Sequence, residues 1–271
     1  MGVFLTFFIA ICNFLLYTIV MEKELLDKSI ILIGPKATGK STVTSKFEEA
    51  HPDYLCFSTD LLINMMIFRI AKREHDLVSD PNYAKNLEKY TSLFKFAELD
   101  DMLLELGKYA NDERLSPKVK QALVQFWKVR IIEDAIYDLK TKQPIFVDAS
   151  ADVGAVFDLN EAEEQELYKQ ISMPTSIVLG RTQKLLDQFG HIAYLEPGST
   201  YHLNKQERAS DKANTLFISN PESYKKYAST TLSADDLFLK NGHSETAILN
   251  EEKLAEILKD LSALTNQKTF E

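Results

Sequence analysis

The chain has 271 residues, 45% of them hydrophobic, and a formal net charge of -9. That length is enough for one large α/β domain with insertions and does not require a second domain. The acidic balance, without a basic tract or an RNA-motif aromatic pattern, argues against a nucleic-acid partner.

Two cysteines, Cys12 and Cys56, make no metal or redox motif and are expected to behave as small buried hydrophobes. The five histidines show no ligand spacing, so no zinc site is expected.

Residues 1–20, MGVFLTFFIAICNFLLYTIV, carry no charged side chain and are close to the length of a bilayer-spanning helix. A secretory signal fits poorly, because the basic start and small-residue cleavage site are missing. Two readings remain: a membrane anchor, or residues upstream of a true start at Met21. In the first, Lys23 and Lys28 favour a cytoplasmic domain. In both, residues 21–271 form one cytoplasmic domain, with membrane contact only through an anchor.

Ser29 to Ile33 is a short, β-branched apolar run, as expected of a buried parallel strand. Gly34 to Ser41 then reads G-P-K-A-T-G-K-S, which fits the P-loop pattern G-x-x-x-x-G-K-[ST]. Ser41 to Ala50 follows as a helix, with Pro52 marking its end. The order strand, glycine loop, helix is the context that the pattern requires. Residues Gly34, Pro35, Lys36, Ala37, Thr38, Gly39, Lys40, Ser41 and Thr42 are therefore expected to cradle the phosphates of ATP. Lys40 is expected on the β- and γ-phosphates, and Ser41 on Mg²⁺.

A second strand, Asp53 to Asp60, ends on an acid. Apolar spacings of three and four then predict a helical insertion over about 61–140, with Ser116 capping a helix that starts at Pro117. Pro144 to Ser150 is the third strand, carrying Asp148. A helix with a solvated acidic face covers EAEEQELYKQI. Thr175 to Gly180 is expected as the fourth strand and Ser229 to Ala234 as a weak fifth. Between them, Gly190 to about Lys205 reads as a polar stretch within a candidate lid over about 181–210. Asn250 is expected to cap a closing amphipathic helix. The alternation predicts a three-layer α/β/α P-loop NTPase fold around a five-stranded parallel sheet, with a helical acceptor or lid insertion.

Ligands of such sheets bind at the carboxyl ends of the strands. The glycine loop, Asp60 and Asp148 should meet there. Asp60 is expected to orient and deprotonate an acceptor hydroxyl, and Asp148 to join the shell of Mg²⁺ with Ser41. Arg208 is a candidate for closing over the transferred phosphoryl group. Arg181 and Arg130 are candidates for substrate binding, and Arg130 has Glu133 three residues on for an ion pair.

The order of features resembles the shikimate kinase and gluconate kinase group of nucleoside-monophosphate-kinase-like proteins. The matching residues are GPKATGKST, the strand-end STD, FWKVRIIEDAI and NPESYKKYASTTL. In shikimate kinases an F-R-x-x-E arginine binds the substrate carboxylate, and Arg130-Ile-Ile-Glu133 stands in the equivalent place with Phe126 displaced. The family's glycine triplet after the third strand is absent here, and a second arginine is replaced in Asn220 to Ala228. Shikimate itself is therefore not the expected acceptor. The larger helical insertion bears a weaker likeness to zeta-toxin-like kinases, which phosphorylate a nucleotide sugar.

These features lead to the expectation of an ATP- and Mg²⁺-dependent phosphotransferase acting on a hydroxyl of a small, anionic molecule. The alternative is a nucleotide-binding switch or regulatory ATPase working through a protein partner. A zeta-toxin-like nucleotide-sugar kinase ranks third.

Overall fold

Parallel strands buried on both faces read as continuous apolar runs rather than as alternating ones. The computed structural model describes residues 25–35, 38–63, 65, 88–94, 96–139, 143–149, 159–172, 183–198, 225–240 and 247–266. In it, β1 (Ile30–Ile33) has all four side chains fully buried. Each such burial contributes roughly 1.5–3 kcal/mol. Helix α1 (Lys40–Ala50) follows, then β2 (Leu55–Ser58), α2 (Phe96–Ala110), α3 (Pro117–Leu139) and β3 (Ile145–Asp148). Next come α4 (Glu161–Ile171), β4 (His191–Glu196), β5 (Thr230–Ser233), β6 (Phe238–Lys240), β7 (Ala247–Leu249) and α5 (Glu251–Thr265).

Five strands form one sheet in the order β2-β3-β1-β4-β5, and every pair is parallel. Strands β6 and β7 form a separate antiparallel pair. Alternate residues of β1 point to opposite faces. Ile31 and Ile33 share a core with Val129, Ile132 and Ile136 of α3. Ile30 and Leu32 share another with Val43 and Phe47 of α1 and Leu254 and Leu261 of α5. Phe47 stacks on Phe146 of β3 at 4.3 Å between ring centres. Helices thus cover both faces, as expected for three layers.

The amino end of β1 is tied down by a side chain. Ser29 Oγ donates to the Leu25 carbonyl at 2.7 Å and accepts from the Ile145 N–H at 3.1 Å. It links β1 to the first residue of β3.

The described part of the expected helical insertion is helical. The first half of α3 leaves the sheet, and Val119, Leu123 and Phe126 pack with Tyr109 at the end of α2 and Leu167 of α4. The expected caps form: Ser116 Oγ accepts from Val119 N–H at 3.3 Å, and Asn250 accepts from Glu252 and Lys253 N–H.

Two expectations need correcting. The stretch from Gly190, expected as polar and within a lid, contains β4, which lies beside β1 in the middle of the sheet. Its apolar centre, Ile192 to Leu195, is flanked by His191 and Glu196, and those ionisable ends mask the strand in the sequence. The β6–β7 pair was not anticipated either, because three-residue strands carry too little pattern to read. The expected fourth strand at 175–180 and the rest of the lid beyond residue 198 lie outside the described residues, as does the apolar segment 1–20. Among the described residues no helix is long and apolar enough to cross a membrane.

Candidate functional site

Strand order defines where a crevice must open. The chain leaves β1 toward β2 on one side of the sheet and leaves β4 toward β5 on the other, while β1 and β4 are neighbours. Adjacent strands whose connections diverge leave a crevice at their carboxyl ends. Gly34 follows β1 at that point.

The loop is built so that only glycine fits at two positions. Gly34 has φ +153°, and a Cβ there would lie 2.7 Å from the Leu195 carbonyl oxygen of β4. Gly39 has φ +97°, and a Cβ there would meet Leu237 and Phe238 at 2.8 Å. A left-handed residue at Gly39 turns the chain directly into α1. The first N–H groups of a helix have no partner within it. No side chain caps α1, and its first turn contains no acid. No acid of its own therefore compensates the positive end of the helix.

Lys40 is buried, and its ammonium donates to the carbonyls of Gly34 at 3.0 Å and Pro35 at 2.9 Å. Thr38 Oγ1 also donates to the Pro35 carbonyl, at 3.0 Å. The lysine charge is thus folded over the inside of the loop. An anion there would gain both the ammonium and the helix end.

Ser41 and Asp148 meet across the sheet. The Ser41 hydroxyl donates to the Asp148 carboxylate at 2.9 Å, joining residues 107 apart in sequence. Pairing of Leu32 with Asp148 puts this acid at the carboxyl end of β3, next to the loop. Asp148 is only 3% exposed. Burial pushes its carboxyl above the usual carboxylate range, while Lys40 and the Ser41 hydroxyl pull it back. Asp60 pushes it up further, and a hydrogen bond from the Ser58 side chain lowers it.

Asp60 follows two residues after Ser58, the register partner of Asp148. The helical turn after β2 begins at Thr59, so the cap position is Ser58 and Asp60 lies in the first turn. Lys40 and Ser41 after β1, Asp60 after β2 and Asp148 at the end of β3 thus share the carboxyl edge of the parallel sheet.

Other expected residues fall elsewhere. Thr42 is half-buried in the first turn of α1. Arg130 is half-buried on α3, between Val129 and Ile131 of the sheet-facing core. Lys36, Ala37, Arg181 and Arg208 lie outside the described residues. Cys56 is buried, and burial pushes its thiol up to about 12, leaving a hydrophobe rather than a nucleophile. His51 ends α1, stacks on Phe47 and hydrogen-bonds Ser262.

Four contributors were not legible. Leu195 of β4, Leu237 and Phe238 at the start of β6 shape the loop, with no local motif to announce it. Tyr90 holds the end of β2. At the far side of the crevice, Glu196 pairs with Lys225 at 2.6 Å.

The residues present fit Mg²⁺ held jointly with a nucleotide. Among the described residues no three His, Cys, Asp or Glu side chains cluster to hold a metal by themselves. Magnesium is usually bound by one or two carboxylates with substrate phosphates, rather than in an all-protein cage. One hydroxyl and one buried carboxylate beside an anion cradle suit that mode. No protein-family model matches the chain, and no curated protein matches it.

Proposed function

We propose that this chain is a P-loop kinase that moves the γ-phosphate of ATP to a hydroxyl of a small, anionic molecule. The observation that carries the reading is the 2.9 Å bond from Ser41 to Asp148, made beside Lys40 and an uncapped helix end. An anion cradle alone fits many ligands. A cradle joined to a buried carboxylate through a hydroxyl fits a phosphate that arrives with a divalent cation.

In this reading the loop amides and Lys40 hold the β- and γ-phosphates, and Lys40 exchanges its two carbonyl partners for phosphate oxygens. Ser41 and Asp148 would hold Mg²⁺, which when bound would neutralise charge on the phosphates. Asp60 accepts the proton of the acceptor hydroxyl as its oxygen bonds to the γ-phosphorus. The bond from that phosphorus to the bridging oxygen breaks, and its electron pair leaves with ADP. Arg130 grips an anionic acceptor, while Arg181 and Arg208 surround the moving group. The helices of the insertion form the acceptor side.

The test is transfer of label from γ-labelled ATP, with Mg²⁺, to a pooled small-metabolite extract. The expected result is label in a new small molecule, lost in Lys40→Ala and Asp60→Asn. Label appearing only as free phosphate, with tight ATP binding, would favour the switch reading and direct attention to a protein partner.

A further inference from the structure

Among the described strands β2 is at the edge of the sheet, and edge strands leave backbone N–H and C=O groups without a sheet partner. At Ser58, the last residue of β2, one side chain satisfies both. Tyr90 Oη accepts the Ser58 N–H at 2.8 Å and donates to the Ser58 carbonyl at 3.4 Å. Tyr90 is 2% exposed, so its hydroxyl must find partners inside the protein. It finds them on one peptide segment, 32 residues away in sequence.

That segment is where the acids of the site diverge. Ser58 pairs in register with Asp148 of β3, so the two side chains stand side by side on one face of the sheet. The chain leaves the strand at Thr59, and Asp60 follows two residues after Ser58. The angle at which the chain leaves β2 decides where Asp60 stands relative to Asp148.

The ring that carries the hydroxyl is itself fixed. Tyr90 packs against Phe94 at 5.6 Å between ring centres, and Phe94 packs edge-on against Phe57 of β2 at 5.3 Å. The neighbouring Lys89 forms an ion pair with Glu48 of α1. Residues 88–93 are thus tied to the end of β2 and to the helix that follows the glycine loop.

We infer that Tyr90 is a positioning residue: by holding both backbone groups of Ser58 it fixes the Ser58 side chain beside Asp148 and aims Asp60 at the acceptor. This rests on the phosphotransfer reading above. The cost of losing the hydroxyl should appear in the chemical step, since that hydroxyl bonds to Ser58 at the end of β2. A displacement of about 1 Å in such a group is worth up to about a hundredfold in rate.

The experiment compares the full chain with Tyr90→Phe and Ser58→Ala, using γ-labelled Mg-ATP and the same metabolite extract. Tyr90→Phe keeps the ring and removes only the oxygen. Its kcat is expected to fall about ten- to a hundredfold, with KM for Mg-ATP held within about twofold. Ser58→Ala leaves the Tyr90 anchor on the peptide and removes the hydroxyl beside Asp148. It is expected to lower kcat by a smaller factor, again at unchanged KM, and it decides the matter if Tyr90→Phe does not fold. Wild-type transfer matched by a folded Tyr90→Phe overturns this inference and leaves the phosphotransfer reading standing. A proportional rise in KM at unchanged kcat overturns it as well, because that marks a merely structural role. Absence of transfer by the wild-type chain overturns the phosphotransfer reading, and this inference falls with it.

Discussion

The start of α1 and the starts of α4 and α5 solve the same problem in opposite ways. Every helix presents N–H groups that its own carbonyls cannot reach. At α4, Asn160 accepts from Glu163 N–H at 3.0 Å while the Glu163 carboxylate accepts from Asn160 N–H at 2.9 Å, and Glu161 and Glu164 add charge. At α5, Asn250 does the capping and Glu251 and Glu252 supply the charge. Each cap is worth about 1 kcal/mol, and each acid about 0.3–1 kcal/mol. At α1 there is a glycine in place of a cap and no acid in the first turn. The molecule thus leaves that helix start without a cap or an acid of its own, beside Lys40 and the Ser41–Asp148 bond.

The sharpest way to break this contrast is to remove the cation at the uncapped end. Lys40→Ala is expected to lower phosphate transfer by about a thousandfold or more, measured as labelled product. Retained activity in that variant would end the phosphotransfer reading. Next in size, Gly39→Ala puts a Cβ at φ +97° against Leu237 and Phe238. It should cost about 1–3 kcal/mol in thermal unfolding, and unchanged stability would mean that the turn into α1 relaxes freely. At the self-capped ends, Asn160→Ala and Asn250→Ala should each cost about 1 kcal/mol of stability and leave transfer untouched. A loss of transfer there would blur the contrast.

Thr42→Glu converts one kind of helix start into the other. It should stabilise the nucleotide-free protein by about 0.3–1 kcal/mol. Calorimetric titration should at the same time find Mg-ATP bound about tenfold more weakly.

The smallest effect belongs to the amino edge of the sheet, away from the loop. Burial pushes the His191 imidazole below its usual range, and Asp27 offsets this in part. A base depressed by folding contributes stability above its unfolded pKa, about 6.5, and loses it as pH falls through the folded value. Melting temperature should therefore fall more steeply with acid below about pH 6.5 in the wild type than in His191→Gln. Parallel curves would assign the acid sensitivity to other groups.

The sequence was legible where two signals coincide. Ile30 to Ile33 is apolar and β-branched, and a glycine pattern follows it, so strand, loop and helix are all readable. Asp148 could be anticipated because it ends an apolar run. The HIAYLE strand could not, since parallel burial needs only its centre to be apolar and its ends are ionisable. Tyr90 could not either, because its role is a contact across 32 residues that leaves no mark on local periodicity. Glycines at 34 and 39 are visible in the motif, but the partners that require them, Leu195, Leu237 and Phe238, are tertiary.

Burial of β1 on both faces has a consequence for the accuracy of the site. In a strand with one wet face, a slip by one residue turns apolar side chains into water and is heavily disfavoured. Ile30 to Ile33 would lose little by slipping, since every position is equally apolar. Alignment must be enforced from the ends. Ser29 does so at one end, through its bond to the Ile145 N–H, and the contact of Gly34 with the Leu195 carbonyl does so at the other. A slip of one residue between β1 and β3 moves Asp148 by about 3.3 Å along the sheet. The 2.9 Å bond to Ser41 would not survive it. A serine at the quiet edge of the sheet is thus a pin that keeps the Ser41–Asp148 pair at the other edge in alignment.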